Sequence, residues 1–251
     1  MTVLCIETST SVCSAALCRE GVAVKQCINR EGSNHARLLP RYIESLLSFA
    51  REQGLSIDAV ALSEGPGSYT GLRIGTSTAK GLCYGLDVPL IPIPTLEVLC
   101  EAAPKAISYQ LSAVSYQPSA VLIPMIDARR MEVYTEVQSD QVQSDQVHKV
   151  NRAQAVVVES EDSILSPSLE ERDGERLPVY YFGDGAAKCR SVLTSPNWHY
   201  VPDIVPEAQY MGAIAESRQE SAVSHQQLAY YEPFYLKEFV AAQSHVKGLK
   251  S

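Results

Sequence analysis

Most of the signatures by which catalytic chains reveal themselves are missing here. There is no G-x-x-x-x-G-K-[ST], so the glycine-rich turn at Gly65 is not a Walker-type phosphate loop, and G-P-G-S-Y-T-G misses G-x-G-x-x-G by one residue. No G-x-S-x-G elbow presents a nucleophilic serine. The five histidines, at positions 35, 148, 199, 225 and 245, never fall four apart, so no helix face offers two imidazoles to a metal. Positive charge is also scarce. With 21 Lys and Arg against 29 Asp and Glu, the chain carries −8, which argues against nucleic-acid binding by this chain alone, because phosphate affinity comes chiefly from cations. Work on RNA would need a basic partner. The seven cysteines are odd in number and contain no C-x-x-C pair, which reads as reduced thiols in a cytoplasmic protein. No stretch approaches the roughly 20 apolar residues of a membrane span. Glu7 interrupts the first apolar run and no basic segment precedes it, so export is not expected.

What the sequence does have is concentrated between Leu62 and Gly85. A short strand, Val60 to Leu62, ends at Gly65-Pro66-Gly67, the composition of a tight turn, and Ser68 or Thr70 is placed to cap a helix. Within that helix Gly71, Gly75 and Ala79 form one row of small residues, and Ser77, Gly81 and Gly85 a second. Each interior glycine costs about 1 kcal/mol of helix stability relative to alanine, so close backbone approach is the expected return. Two uses fit: tight packing on the helix's own sheet, or a face for a partner or ligand.

Val3 to Ile6, Ser14 to Leu17 and Val22 to Ile28 read as three strands. The first break places Glu7, Thr8, Ser9, Thr10 and Ser11 in one turn, where the two-lobed actin, Hsp70 and sugar-kinase architecture approaches a nucleotide's phosphates; local backbone bonding is the plainer use of such a turn. Leu39, Tyr42, Ile43, Leu46, Leu47 and Ala50 follow the helical period through residues 41 to 53, with His35 as a capping or packing residue at the start. Pro89, Pro92 and Pro94 suit an edge strand, and Thr95 opens a further helix. The order β-β-β-α-β-α-β-α predicts an α/β lobe over residues 1–102, with a second lobe over 103–251. In that lobe Val121 to Asp127 and Met131 to Val137 read as a hairpin, with Asp127 accepting backbone N–H groups at its turn. VQSDQ occurs twice between Val137 and Gln146 as a loop insertion. Residues 153–158 fit a strand or a helix start, and 159–178 a solvated loop. Val179 to Phe182 is a strand leading into Gly183-Asp184-Gly185 and then a helix, a pattern that suits an anion cradle or a plain tight turn. Ala208 to Arg218 reads as a helix that packs back on the first lobe, Tyr230 to Val240 as an irregular strand, and the last ten residues as a tail.

The segments IETSTSVCSAAL, HARLLPRYIESLL, EGPGSYTGLRIGTSTAKGL, IPTLE, IDARRMEVY, FGDGA and YEPFYLKEFVA together resemble the bacterial TsaB family, also called YeaZ. The resemblance runs from residue 4 to about 241. It implies an actin/Hsp70-like (ASKHA) fold of two lobes and a part in making N6-threonylcarbamoyladenosine (t6A) in tRNA. TsaB-like chains are similar to TsaD, the transferase subunit, whose metal-binding histidine pair is replaced here by Thr95 and Leu99. The implied role is a non-catalytic subunit with no catalytic or metal-binding residues and no required cofactor, dimerising with TsaD and working with the ATPase TsaE. It would form a homodimer when alone and meet tRNA only through the complex. The resemblance places the partner face on Leu39, Tyr42, Ile43 and Leu46 of one helix and Gly71, Ile74, Gly75, Thr78 and Leu82 of the next. A bulky residue at Gly75 is then expected to break assembly while leaving the monomer folded. The alternative is a chain with weak ATP or ADP binding and its own ATPase activity, through Glu7, Thr8, Ser9, Gly183 and Gly185.

Overall fold

The computed structural model describes residues 1–32, 34–110, 120–140, 147–149, 153–165, 171–172 and 175–237. In the first lobe β1 (Thr2–Glu7), β2 (Cys13–Arg19) and β3 (Val22–Asn29) form an antiparallel meander. Its second turn is made by Glu20 and Gly21, both at positive φ, as a two-residue hairpin with matched strand twist requires. The chain then runs through α1 (His35–Glu52), β4 (Ala59–Gly65), α2 (Tyr69–Leu86), β5 (Leu90–Pro94) and α3 (Thr95–Gln110). The sheet order is β3-β2-β1-β4-β5, with β4 parallel to β1 and β5 parallel to β4. The proline-rich strand thus lies at the edge, where its missing donors leave no ladder position unpaired.

The second lobe contains β6 (Val121–Asp127), β7 (Glu132–Thr135), β8 (Gln138–Asp140), β9 (Val147–Lys149) and β10 (Gln154–Val157). A small ribbon, β11 (Glu171–Arg172) with β12 (Glu175–Arg176), precedes β13 (Val179–Phe182) and β14 (Trp198–Val201). The main path is β10-β7-β6-β13-β14, and β8 pairs with the start of β6 and with β9. Two mixed sheets with helices make the two-lobe α/β fold that the strand order predicts. The parallel strands of each sheet end at its carboxyl side, where open α/β sheets place their crevice. Glu7 and Gly65 end β1 and β4, and Asp127 ends β6 with Gly183 just beyond β13.

Helices cross between the halves of the sequence. One face of the first sheet packs α1 and α2, through Leu39, Leu46, Ala79 and Cys83 against Leu4, Ile6 and Leu62. Its other face is covered from the second half of the chain by a 3-10 turn (Ala208–Tyr210) and α4 (Met211–Ser217), with Met211 and Ile214 against Val3, Cys5 and Cys18. In return Leu96, Leu99, Ala103 and Ile107 of α3 pack on Leu122, Ile126, Tyr180 and Phe182 of the second sheet. A last short helix, α5 (His225–Leu228), returns to the α2 side of the first lobe.

Some expectations resolve differently. After the Gly183 turn there is a 3-10 stretch, Ala187–Ser191, in place of the predicted helix, and residues 230–237 contain no strand. Residues 154–157 are strand, paired with β7. The second VQSDQ copy and the tail beyond 237 lie outside the described residues. Among the described residues no helix is long and apolar enough to cross a membrane.

Candidate functional site

In the hydroxyl-rich turn after β1, Glu7, Thr8 and Ser9 are at 0% exposure and Thr10 is buried, while Ser11 is exposed. Most of its buried polar groups are bonded to the chain itself. Ser9 donates both its amide and its hydroxyl to Glu7 Oε1, each at 2.6 Å, and its carbonyl accepts from Ser68 N at 2.6 Å. Thr8 Oγ1 donates to the Gly71 carbonyl at 2.9 Å, and His35 Nε2 donates to the Thr10 carbonyl at 2.8 Å. Helix α2 approaches this turn so closely that a Cβ on Gly71 would collide with the Thr8 carbonyl oxygen, and one on Gly75 with Thr8 Oγ1. Close approach is therefore the use of the Gly71, Gly75, Ala79 row, and the neighbour is the first lobe's own turn.

Glu7 Oε2 makes no sound hydrogen bond, although the Ser63 hydroxyl beside it would favour its charge; Ser63 Oγ instead lies 2.8 Å from Thr95 Oγ1. Burial pushes the Glu7 carboxyl above its usual range, helped by Asp184 across the cleft. Burial likewise raises Asp184, whose carboxylate accepts from Asp127 N at 3.0 Å. Asp127 accepts from Arg129 N at 3.0 Å, as a hairpin aspartate was expected to, and pairs with Lys188. The Gly183 and Gly185 turn lies against the end of β6, with Gly185 N donating to the Met125 carbonyl at 3.1 Å. A Cβ at Gly183 would strike the Met125 backbone, and one at Gly185 would crowd Ile126 and Asp127. Thr95 and Leu99 are both buried, and among the described residues no three of His, Cys, Asp or Glu gather as metal ligands.

The predicted partner face divides into two sets. Leu39, Ile43 and Leu46 sit in the first lobe's core, with Leu39 and Leu46 at 0% exposure, and Gly71 and Gly75 face Thr8. Leu39, Leu46, Gly71 and Gly75 are corrected to interior residues of the lobe, whereas Ile43, buried at 6% exposure, also lines the groove between the two helices. The cause is geometric: both helices lie flat on the sheet, and the most regular apolar positions go to the sheet first. Tyr42, Ile74, Thr78 and Leu82 remain half-buried on the outward side. The second small-residue row, Ser77, Gly81 and Gly85, is exposed, and a Cβ on either glycine would meet open space. Between the two helices runs a groove of about 490 Å³ lined by Pro40, Ile43, Glu44, Leu47, Arg51 and Thr78.

Sequence reasoning missed a further part of the site. The segment 231–237 crosses the end of β4, where Phe234 N donates to the Glu64 carbonyl at 2.7 Å and the Phe234 carbonyl fills the space beside Gly65. Its aromatic spacing, Tyr231, Phe234 and Tyr235, was the available signal.

A family model described as TsaD, tRNA N6-adenosine threonylcarbamoyltransferase, matches residues 29–248. The chain is 32% identical over 246 residues to the tRNA threonylcarbamoyladenosine biosynthesis protein TsaB of Haemophilus influenzae, covering 96% of this chain and 95% of that one. To the protein of the same name from Bacillus subtilis it is 28% identical, over 86% of this chain and 82% of the other. Among solved structures, YeaZ from Pseudomonas aeruginosa superposes with a TM-score of 0.70 at 25% identity, covering 94% of this chain and 99% of that one.

Proposed function

The chain belongs to the TsaB family, and on that premise we propose that it serves t6A synthesis on tRNA as a non-catalytic subunit that docks a TsaD-type transferase. The docking face we assign is the outward side of α1 and α2. The observation that carries this is the ridge Ile74, Thr78 and Leu82, spaced by four and left half-buried beside the open Gly81 and Gly85 positions and the α1–α2 groove. Small residues beside such a ridge let a second helix pair approach to interaxial distances near the short end of about 8–10 Å. Without the transferase the same face pairs two copies of this chain, since an isologous contact uses one patch twice.

The non-catalytic part of the reading is supported by the turn after β1. The amide of Ser9 and the hydroxyls of Thr8 and Ser9, which a nucleotide's phosphates would need, are already bonded internally. We therefore propose that nucleotide hydrolysis in the assembly belongs to the separate ATPase TsaE, and that titration of the purified chain with ATP gives neither saturable binding nor phosphate release. Saturable binding with turnover by this chain alone would establish the alternative, a cleft ATPase.

The test of docking is Ile74→Arg, with Leu82→Arg as a second variant. Both residues are half-buried outside the sheet-facing row, so each variant is expected to keep the parent's thermal midpoint within a few degrees. Sedimentation of equimolar mixtures with TsaD should lose the heterodimer, and t6A formation with TsaD, TsaE and substrate tRNA should fall with it. A heterodimer that persists in both variants removes α1 and α2 from the interface.

A further inference from the structure

The cleft rim carries a strip of rings, Tyr235 exposed and Tyr69 and Tyr134 half-buried, and of exposed guanidinium groups that the docking face does not use. On the first lobe Tyr69 and Tyr235 meet with ring centroids 5.0 Å apart and planes tilted by 38°. Arg73 donates to the Tyr69 hydroxyl at 2.8 Å, and its guanidinium carbon lies 5.4 Å from that ring's centroid. Two residues past Tyr235, Lys237 reaches the second lobe. Its ammonium pairs with Glu132 and lies 6.0 Å from the Tyr134 ring, both on β7. The β6–β7 turn just before Glu132 is made by Arg129 and Arg130, at φ 70° and 52°. Glycine or asparagine adopts that conformation far more readily, so two successive arginines there run against the local preference of the backbone.

The charges along this strip are unevenly satisfied. Asp127 and Glu132 are paired with Lys188 and Lys237. Arg73, Arg129 and Arg130 are exposed and make no ion pair among the described residues, leaving Glu232 as the free carboxylate near Tyr235. Three unpaired guanidiniums on one rim of a chain carrying −8 are complementary to a polyanion, and the exposed ring of Tyr235, backed by half-buried Tyr69, suits an unpaired base.

We propose that this rim, Tyr69, Arg73 and Tyr235 on one lobe with Arg129 and Arg130 on the other, contacts the tRNA in the assembled complex. The guanidiniums lie on phosphates, and Tyr235, backed by Tyr69, stacks on an unpaired loop base. The inference rests on the reading that this chain pairs with a TsaD-type subunit acting on tRNA. It gives this acidic chain a direct part in holding the substrate once a partner supplies the bulk of the affinity.

The probe is an unmodified tRNA transcript titrated against the assembled pair at several salt concentrations, with pairing checked first by sedimentation. The variant R129G/R130G removes both guanidiniums and gives the turn the residue its backbone prefers, so folding is protected. Affinity should fall about tenfold, and the slope of log K against log salt should shrink by about 1.4 to 1.8, the loss of two phosphate contacts. R129K/R130K should restore most of the slope. Tyr235→Leu should weaken binding about tenfold with the slope unchanged, since stacking is not a counterion effect. Unchanged affinity and slope in both variants overturn the proposal while leaving the docking reading intact. Loss of the pair itself in R129G/R130G makes the rim a protein surface and overturns it too. A parent chain that never pairs sinks both readings.

Discussion

Replacing Gly71 by alanine should lower stability, whereas the same change at Gly81 should raise it, though both glycines lie in α2. At Gly71 the new methyl is driven into the Thr8 carbonyl oxygen, a backbone atom of the buried β1 turn that cannot swing aside. Overpacking of this kind costs about 1–3 kcal/mol. Moving the turn away also breaks the 2.9 Å bond from Thr8 Oγ1 to the Gly71 carbonyl, and a buried hydroxyl left without a partner costs about 1–3 kcal/mol more. Against this, the gain in helix propensity is at most about 1 kcal/mol, and smaller at a first-turn position. The balance is destabilising by about 3 kcal/mol. For a chain of this length about 2–4 °C of midpoint follows each kcal/mol, giving a fall of about 6–12 °C. At Gly81 no atom lies within 4 Å of the added methyl, so only the propensity gain remains, and the midpoint should rise by about 2–4 °C. Thermal unfolding followed by circular dichroism, with urea titration as a second measure, reads both changes. A Gly71→Ala protein as stable as its parent would refute the assignment of that glycine row to the lobe's interior.

Two further outcomes follow from burial. The raised carboxyl of Glu7 binds its proton more tightly folded than unfolded, so its contribution to stability is fully present below about pH 4.5 and is lost as pH rises through the elevated folded-state value. Glu7→Gln, which keeps an acceptor for Ser9, should therefore gain on the parent in thermal midpoint between pH 5 and pH 8; a difference that is constant with pH contradicts the argument. Leu39→Ala should cost roughly 2–5 kcal/mol in urea unfolding while the folded variant still sediments as a pair with TsaD, because Leu39 faces the sheet. Lost pairing at unchanged stability would return Leu39 to the partner face.

The fold was largely legible because its strong signals are local. Apolar runs broken by Glu20-Gly21 and by Gly65-Pro66-Gly67 mark the strands, and the prolines of β5 mark an edge. The site was less legible because its key distinction is invisible in one dimension. Gly71 with Gly75 and Gly81 with Gly85 share the same spacing on the same helix, yet one pair meets Thr8 and the other meets solvent. Only the rotation of α2 on its sheet separates them, and that rotation is set by Leu72, Thr76 and Cys83 burying against β4 and its neighbours. The same limit explains Gly183 and Gly185. In sequence they fit an anion cradle or a plain tight turn alike, and the close neighbour that requires glycine there is the backbone of β6. The packing of α4 beneath the first sheet and of segment 231–237 across Gly65 joins residues more than 150 positions apart, for which the sequence offers periodicity and no address.

The lock between the β1 turn and α2 can be isolated at a single atom. A methyl on Gly75 is obstructed chiefly by Thr8 Oγ1; its next neighbours are Leu62 Cδ1 at 3.2 Å and Thr8 Cβ at 3.6 Å, distances that small side-chain shifts absorb. Gly75→Ala in the parent should therefore destabilise, because Thr8 is buried, β-branched and tied by its hydroxyl to the Gly71 carbonyl. In a Thr8→Ala background the obstruction is gone and the propensity gain of about 1 kcal/mol should emerge, so the second substitution becomes neutral or stabilising. The resulting coupling is expected at about 1–3 kcal/mol, the range for residues in direct contact. Thr8→Ser keeps the hydroxyl and should keep most of the coupling. If Gly75→Ala behaves alike in the parent and Thr8→Ala chains, the turn and the helix are not locked through this hydroxyl. The glycine would then need another neighbour, and a partner helix would be the remaining candidate.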